Sequence, residues 1–205
     1  ELRTPLSAMM LWSRMLLEQE NPTAAQLQEG LQAIRVCAEE QRALIEDLVD
    51  TSRIAAGKLR LDRAPVDLMA TLRSTIDAIR PVAAEQRLTL VESYDPAIGT
   101  VFADAHRVRQ VAANLLGNAA KFTPAGGRIS LNAARDGDDV VIAVTDTGQG
   151  IRSDLLAGIF ERFRQAESTT TKEHRGLGLG LSISRQLVEL HGGTISASSP
   201  GIDQG

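Results

Sequence analysis

The sequence predicts an α+β protein in which a helical hairpin precedes an α/β sandwich. Residues 2–18 and 23–56 have helical patterns and are separated by Asn21-Pro22, where a helix begins rather than continues. After Gly57 the pattern changes to helices that alternate with short strands. With 205 residues, 43% of them hydrophobic, the chain can bury the core of more than one domain. We expect a hairpin over residues 1–57, a linker over 58–66 and a larger domain over 67–205.

The second predicted helix carries an apolar stripe with heptad spacing. Its members follow a 4,3 spacing throughout and are Leu27, Leu31, Ile34, Ala38, Gln41, Ile45, Leu48, Ser52 and Ala55. A hairpin with one apolar stripe on each arm cannot cover both stripes by itself, so pairing with a second copy into a four-helix bundle is the natural way to bury them. Packing of the stripe on the rest of the chain is the alternative. We expect a homodimer, with Gln41 and Ser52 as the weak positions of the stripe.

The larger domain is predicted to place helices on one face of a mixed sheet. Asp67 and Asp104 are plausible N-caps of helices that end near Ala84 and Phe122. A last helix is expected from about Leu179 to Leu190. Predicted strands cover residues 87–91, 127–134, 140–145 and 194–197, of which the second and third form an antiparallel hairpin.

Composition excludes several classes of function. A formal net charge of -4 and a pI near 5.5 argue against a nucleic-acid partner, because such binding depends on clustered Lys and Arg. The single cysteine, Cys37, cannot form an internal disulfide. No apolar run approaches the roughly 18 residues that cross a bilayer, so we expect no membrane contact by this fragment. Because the chain opens on Glu1 without Met and closes on a polar stretch, we expect it to continue at both ends, with one more strand after Gly205.

One predicted helix of the larger domain is largely apolar but carries a polar face, which makes this face a candidate binding site. Asn114, Asn118 and Lys121 lie at i, i+4 and i+7, so their side chains point the same way. An Mg²⁺ ion bound to ATP takes few protein ligands, and the amide oxygen of Asn118 can complete its shell. Lys121 would then meet the phosphate charge. An ordinary solvated helix face is the alternative.

A glycine-containing turn directly follows the strand that ends near Thr145. Asp146 opens this turn, and Gly148 and Gly150 permit a ligand to approach the backbone closely. A carboxylate on the floor of such a pocket can accept a hydrogen bond from the exocyclic amine of adenine. The alternative is a turn aspartate that bonds its own backbone.

A second glycine string opens the last helix. Residues 176–180 read Gly-Leu-Gly-Leu-Gly, and free backbone N–H groups at a helix start suit phosphates. Phe160 and Phe163 can anchor a polar loop between residues 159 and 176 that closes over a nucleotide. From this loop Arg164, Lys172 and Arg175 could reach phosphate, although solvated surface is the alternative for each.

In order and spacing these segments resemble the N, G1, F and G2 boxes of sensor histidine kinases, over residues 67–199. Glu1-Leu2-Arg3-Thr4-Pro5-Leu6 is similar to the H box without its first residue, the phosphorylated histidine. Residues 163–167 and 175–180 are most similar to the hybrid type of these kinases. The implied fold is a phosphotransfer hairpin followed by an ATPase domain of the histidine kinase and gyrase type.

The resemblance also implies a role for individual residues. Asn118 is implied as the Mg²⁺ ligand and Asp146 as the adenine partner, with Asn114 and Lys121 as phosphate contacts. Glu1 would take the imidazole proton, and Thr4 would position water for removal of phosphate from the partner. Leu177 and Arg175 replace a frequent threonine and a frequent glycine of the family. The remaining candidates for the nucleotide pocket and lid are Phe122, Gly148, Gly150, Arg164, Gly176, Leu177, Gly178, Leu179 and Gly180.

The implied activity is transfer of the γ-phosphate of ATP to a histidine before Glu1 and then to an aspartate of a response-regulator receiver domain, in the cytoplasm. Gyrase-like and MutL-like ATPases are the main alternative, but they place a water-activating glutamate where this chain has Asn114. A nucleotide-binding scaffold without catalysis is the second alternative. The three histidines, His106, His174 and His191, lie outside the hairpin and are expected to be structural or solvated. The fragment itself is therefore expected not to phosphorylate itself.

Overall fold

The computed structural model of this chain describes residues 2–19, 21–162, 164 and 178–205. The chain divides into two compact units, of which the first contains the hairpin up to Leu59 and the second begins at Arg60. In the parts of the chain that are described, no helix combines the length and the apolar character needed to cross a membrane.

The first unit is an antiparallel pair of helices, α1 (Arg3–Glu18) and α2 (Ala24–Ala55). Thr23 begins α2 with a reciprocal cap: its hydroxyl accepts a hydrogen bond from the backbone of Gln26, whose side chain accepts one from the backbone of Thr23. Gly30 is buried where α2 crosses α1, and a Cβ atom there would lie 2.8 Å from the Leu16 side chain. A small residue at this point lets the two helices approach closely.

The heptad stripe of α2 is only partly covered in the single chain. Ile34 and Gln41 are half-buried, but Leu31 is 60% exposed and Ile45 is 48% exposed. Leu6, Met10 and Leu17 of α1 are also exposed apolar residues. An apolar stripe therefore runs along the outside of the hairpin, as a surface that a second copy could bury.

The described residues of the second unit form five strands and four helices. Its strands are β1 (Ala64–Asp67), β2 (Thr89–Tyr94), β3 (Thr100–Ala103), β4 (Arg128–Asp136) and β5 (Asp139–Asp146). Its helices are α3 (Leu68–Glu85), α4 (Ala105–Phe122), α5 (Ser153–Leu156) and α6 (Gly180–His191), with a 3₁₀ turn at Pro96–Ile98. The main sheet has the order β2-β4-β5, parallel between the first two strands and antiparallel between the last two. This mixed sheet with helices packed against it confirms the predicted fold class.

The core lies between the main sheet and helices α3 and α4. Strand β4 alternates its side chains between core and solvent, and its inward residues Ile129, Leu131 and Ala133 are buried. They meet Leu72 of α3 and Leu116 of α4, neither of which is exposed to solvent. Full burial of one such side chain stabilises the fold by about 1.5–3 kcal/mol.

The predicted N-caps and helix ends agree closely with the structure. The Asp67 carboxylate accepts from the backbone N–H of Ala70 at 2.9 Å, and Asp104 accepts from His106 and Arg107 at 3.0 and 3.2 Å. Strand β2 begins and ends two to three residues later than predicted. Residues 64–66, which the sequence assigned to the linker, form most of β1. Among the described residues β1 pairs only with β3, so it has a free edge on which Pro65, which lacks a backbone N–H, is tolerated.

The strand predicted over residues 194–197 is wrong. The chain leaves α6 through Gly192, which has a positive φ of 91°, and residues 193–200 have no regular structure. A strand exists only if a neighbour accepts and donates its ladder hydrogen bonds, and among the described residues none pairs with this segment. Alternating polarity alone could not reveal that.

The start of α4, the end of α6 and the segment before β1 meet at one junction. The backbone N–H of Asp104 donates to Nε2 of His191 at 3.1 Å, while Nδ1 of His191 lies 2.8 Å from the Leu187 carbonyl oxygen. Because that carbonyl can only accept, Nδ1 carries the imidazole proton. The Asp104 carboxylate also accepts from the backbone of Asp62 at 3.0 Å, and the Arg63 guanidinium donates to the Leu190 carbonyl.

We predict that Asp104→Ala lowers the free energy of unfolding by about 1–2 kcal/mol at neutral pH, as expected for loss of a helix N-cap. Burial acts to raise the pKa of Asp104, but hydrogen bonds from the Asp62, Arg107 and His106 backbone outweigh it and hold this pKa below its usual value. A carboxyl group whose pKa is lowered by folding stabilises the protein above its unfolded pKa and loses that effect as the pH falls through the folded pKa.

The difference between wild type and Asp104→Ala is therefore expected to be complete above about pH 5 and to shrink as the pH falls below about 4. Urea unfolding at a series of pH values measures this difference in the free energy of unfolding. Asp138→Ala, in the exposed β4–β5 turn, is the control. A difference that stays constant down to pH 2.5 would contradict the assignment.

Candidate functional site

Helix α4 separates its apolar and polar residues onto two faces. Ala112, Leu116, Ala119 and Ala120 are buried against the core. Asn114, Asn118 and Lys121, the predicted polar face, are each half-buried. The apolar packing thus fixes the rotation of the helix and leaves the three polar side chains along one edge of the domain.

The start of α6 is bonded to Asn114, at one end of this polar face. The Asn114 side-chain nitrogen Nδ2 donates to the Gly180 carbonyl at 3.2 Å and to Ser184 Oγ at 3.4 Å. Helix α6 has no side-chain cap at its N-terminus, and Leu179, which precedes it, is buried. Gly178 has a positive φ of 65°, which favours glycine. The structure therefore brings Gly180 beside Asn114, and Gly178 and Leu179 directly precede Gly180 in the chain.

The other end of the polar face meets the turn after β5. The Gln149 backbone N–H donates to the Phe122 carbonyl at 3.1 Å. A Cβ atom at Gly148 would lie 2.5 Å from that same carbonyl oxygen, so no side chain fits at this position. Lys121 Nζ lies 4.9 Å from the centre of the Phe122 ring, a cation–π distance. The Asp146 turn and the end of α4 are thus held together.

Asp146 uses one oxygen to shape its own turn. Its Oδ1 atom accepts a hydrogen bond from the Gly148 backbone N–H at 2.8 Å. Within the described part of the chain, no further hydrogen bond to this carboxylate is formed, and the residue is half-buried. The turn role that the sequence left open is thus present, and Oδ2 is left with acceptor capacity.

The end of the chain reinforces this turn, which sequence reasoning missed. Ser199 Oγ accepts from the Ile151 backbone at 2.9 Å and donates to the Gly205 carbonyl at 2.6 Å. The Gln149 carbonyl accepts from the Asp203 backbone at 2.7 Å. Gly150 has a positive φ of 65°, and a Cβ atom there would collide with the Gly201 carbonyl. Ser199 lies in a polar stretch without periodicity, so no pattern pointed to it.

Ser184 was also missed, although a signal for it exists. Gly180, Ser184, Leu187 and His191 recur with 4,3,4 spacing, which places them on one face of α6. Hydrogen bonds from this face reach Asn114 and Asp104 of α4, so it is the face that meets α4.

Several predicted site residues are not part of this cluster. Thr4 lies exposed in the first turn of α1 in the hairpin. The Arg164 guanidinium forms an ion pair with Glu161 at 3.0 Å and lies against Gly158. Other predicted residues lie outside the described part of the chain: Glu1, Phe163, Lys172, His174, Arg175, Gly176 and Leu177.

The donor set near α4 consists of amides rather than of a carboxylate cage. Among the described residues, no group of three or more His, Cys, Asp or Glu side chains is placed to hold a metal ion. The half-buried Asn118 amide and the adjacent Lys121 ammonium fit a cation that arrives already bound to a triphosphate, since such an ion needs few protein ligands.

Two family models match consecutive parts of the chain. Residues 1–57 match the His Kinase A (phospho-acceptor) domain. Residues 103–205 match the family described as histidine kinase-, DNA gyrase B-, and HSP90-like ATPase. Helix α4, the β5 turn and helix α6 all fall within the second match.

Curated relatives carry the same two parts. The chain is 37% identical over 202 residues to the circadian input-output histidine kinase CikA of Synechococcus elongatus, covering 97% of this chain and 27% of the relative. It is 38% identical to the autoinducer 2 sensor kinase/phosphatase LuxQ of Vibrio cholerae, covering 97% of this chain and 24% of the relative. The chain thus spans about a quarter of the length of these relatives.

Solved structures give the same result for the fold. The histidine kinase AdeS of Acinetobacter baumannii superposes with a TM-score of 0.70 at 22% identity, over 98% of this chain and 91% of that one. Full-length ShkA, solved in complex with AMPPNP, gives a TM-score of 0.69 at 32% identity, over 96% of this chain and 42% of that one. Because a phospho-acceptor domain and an ATPase domain follow each other here as in these relatives, the chain belongs to the histidine kinases of two-component signalling systems.

Proposed function

We propose that this chain binds Mg-ATP along α4 and transfers its γ-phosphate to a histidine of the hairpin domain, from which the phosphate passes to a response-regulator aspartate. The observation that carries this proposal is the pair of hydrogen bonds that flank the polar face of α4. At one end Phe122 is bonded to the Asp146 turn, and at the other Asn114 is bonded to the start of α6. Helix α4 rises about 12 Å between these points, so one helix can hold a base and a triphosphate together.

Asp146 is assigned to the adenine. Its Oδ1 atom is engaged by Gly148, so Oδ2 is the oxygen assigned to the exocyclic amine. The Phe122 ring, 39% exposed beside this turn, offers an apolar surface to the base. The Gly148 and Gly150 backbone leaves room for its approach.

The phosphates are assigned to the polar face that runs from Lys121 back to Asn114 and the start of α6. The Lys121 ammonium supplies positive charge, and the uncapped first turn of α6 supplies backbone N–H groups. A bound Mg²⁺ would neutralise phosphate charge during transfer, and Asn118 is the residue assigned to hold it. A nucleotide site of this kind is supported by the AMPPNP complex of ShkA, which is 32% identical to this chain. The need for ATP in turn argues for the cytoplasm.

Transfer is favoured over direct hydrolysis by the chemistry of Asn114. Water must lose a proton to attack phosphate, and an amide cannot accept one at neutral pH. The Asn114 side chain is moreover bonded to α6. The match of residues 1–57 to a phospho-acceptor domain supports transfer to a protein acceptor, so a gyrase-like ATPase is not favoured.

The acceptor histidine is assigned to the position before Glu1, on the resemblance of residues 1–6 to an H box. Glu1 would then take the imidazole proton. Residues 1–57 contain no histidine of their own.

We expect the 205-residue chain to bind ATP without becoming phosphorylated, and the same chain extended by one N-terminal histidine to become phosphorylated. Incubation with γ-labelled ATP, followed by acid treatment that releases phosphohistidine label, measures this. Label on His106, His174 or His191 of the 205-residue chain would refute the assignment. An extended chain that binds ATP but takes up no label would instead indicate a scaffold.

We predict that Asp146→Asn weakens Mg-ATP binding by about ten- to a hundredfold, because a hydrogen bond to a charged group contributes about 1.5–3 kcal/mol. Asparagine keeps an oxygen for the Gly148 bond, so the turn is retained while the group that faces adenine changes. Calorimetric titration measures the affinity, with Asp138→Ala as control and Asp146→Ala as the variant that loses both contacts. Equal ATP affinity in Asp146→Asn and wild type would remove this residue from the pocket.

A homodimer through the hairpin is proposed on the exposed heptad stripe of α2. Ile45 lies on this stripe, whereas Ala43, two residues earlier, lies on the far side of the heptad. A glutamate in place of Ile45 would bury charge in both copies at once.

We predict that Ile45→Glu raises the dimer dissociation constant at least about a hundredfold, since loss of one buried aliphatic side chain per copy costs about 1.5–3 kcal/mol each. Ala43→Glu adds the same charge to the same helix and is expected to leave the dimer intact. Sedimentation equilibrium distinguishes the two. Equal effects of both variants would show that the stripe is not the interface.

A further inference from the structure

We propose that Ser184 is a positioning residue for nucleotide binding, which fixes the side-chain amide of Asn114 so that its Nδ2 faces α6 and its Oδ1 faces the bound Mg-ATP. This inference rests on the proposed nucleotide site and names a residue outside the motifs that predicted it. Ser184 has no exposed surface, so it acts on the nucleotide through Asn114.

The hydrogen bonds around Ser184 determine which way the Asn114 amide points. Ser184 Oγ donates to the Gly180 carbonyl at 2.9 Å, which uses its only hydrogen. Toward Asn114, at 3.4 Å, Ser184 can therefore act only as an acceptor. The Gly180 carbonyl, 3.2 Å from the same Asn114 nitrogen, is also an acceptor only. Because both neighbours can only accept, the Asn114 atom that faces them must be the NH₂ nitrogen rather than the oxygen. The hydrogen-bond partners therefore assign the orientation of the Asn114 amide.

This arrangement fixes which atoms of the Asn114 amide are left for a ligand. The Gly180 and Ser184 oxygens are 3.2 and 3.4 Å from Nδ2 and only 2.9 Å from each other, so they lie on one side of the nitrogen and share one of its two hydrogens. The second hydrogen remains compatible with the phosphate contact that the resemblance implies. The Oδ1 atom of Asn114 accepts no hydrogen bond among the described residues, so this oxygen keeps its acceptor capacity. Oδ1 repels phosphate oxygens but attracts a cation or the water molecules that a cation carries.

Ser182 provides a matched control on the same helix. It is 5% exposed, and its hydroxyl donates to the carbonyl of Leu179, the residue before α6, at 2.7 Å. Ser182→Ala therefore removes a buried hydroxyl and one local hydrogen bond at the start of α6, as Ser184→Ala does, without loss of a bond to Asn114. Loss of stability alone would affect both variants alike.

The first measurement is calorimetric binding of Mg-ATP, and of ATP in excess chelator, to the 205-residue chain. Ser184→Ala is expected to weaken Mg-ATP binding about three- to tenfold, the range for one neutral hydrogen bond. In Ser184→Ala, the affinity for metal-free ATP is expected to change less than about twofold. In Ser182→Ala, the affinities for Mg-ATP and for metal-free ATP are each expected to change less than about twofold. Ser184→Cys, which keeps the volume with weaker hydrogen bonding, should fall between Ser184→Ala and wild type, and it preserves the test if the alanine variant is unstable.

The second measurement is a double-mutant cycle with Asn114→Ala. If Ser184 acts through Asn114, Ser184→Ala causes no further loss of Mg-ATP affinity in the Asn114→Ala background. Without nucleotide, the Asn114 side-chain amide protons, assigned by their absence in Asn114→Ala, are expected to exchange with solvent faster in Ser184→Ala than in wild type.

Additive losses in the cycle, equal losses with and without metal, or equal effects of Ser182→Ala and Ser184→Ala would each overturn the proposal while leaving the nucleotide site intact. A wild-type chain that binds no Mg-ATP would overturn the proposed function itself.

Discussion

The antiparallel contact between α4 and α6 is the constraint on which the site depends. It is fixed at two points, where Asn114 bonds to Gly180 and Ser184, and where the Asp104 backbone bonds to His191. Between these points Leu187 of α6 is fully buried. Directional bonds at both ends set the register of one helix against the other, while apolar burial supplies the cohesion. Gly180, the first residue of α6, is thereby held beside the polar face of α4.

A second set of bonds adds the turn after β5 to this pair of helices. Strand β5 pairs with β4, whose inward side chains pack on α3 and α4, so the end of β5 is carried to the end of α4. There the Gln149 bond to Phe122 and the close approach of Gly148 complete the contact. Asp146 uses one oxygen to hold its turn, and its other oxygen accepts no hydrogen bond among the described residues.

The junction at Asp104 also attaches the first residues of the second unit to helices α4 and α6. Asp62 and Arg63, which lead into β1, bond to the start of α4 and to the end of α6. His191 is held there as the neutral Nδ1–H tautomer, because its two partners are a carbonyl oxygen and a backbone N–H group. The helices that carry the proposed phosphate contacts are therefore tied to the segment through which the polypeptide enters the domain.

The sequence by itself determined most of the elements and identified the candidate residues of the site. Local rules were sufficient for the caps at Asp67 and Asp104, for the polar face of α4 and for the glycine turns, because each depends on residues within one helical turn or one loop. Spacing alone also identified the family. Only the tertiary structure decided the features that depend on distant partners: the pairing of β1 with β3, the absence of a strand at residues 194–197, the support from Ser199 and the orientation of Asn114 by Ser184. A hydrogen bond between residues 70 apart in sequence leaves no periodic trace in either segment, so it becomes visible only when both are placed in space.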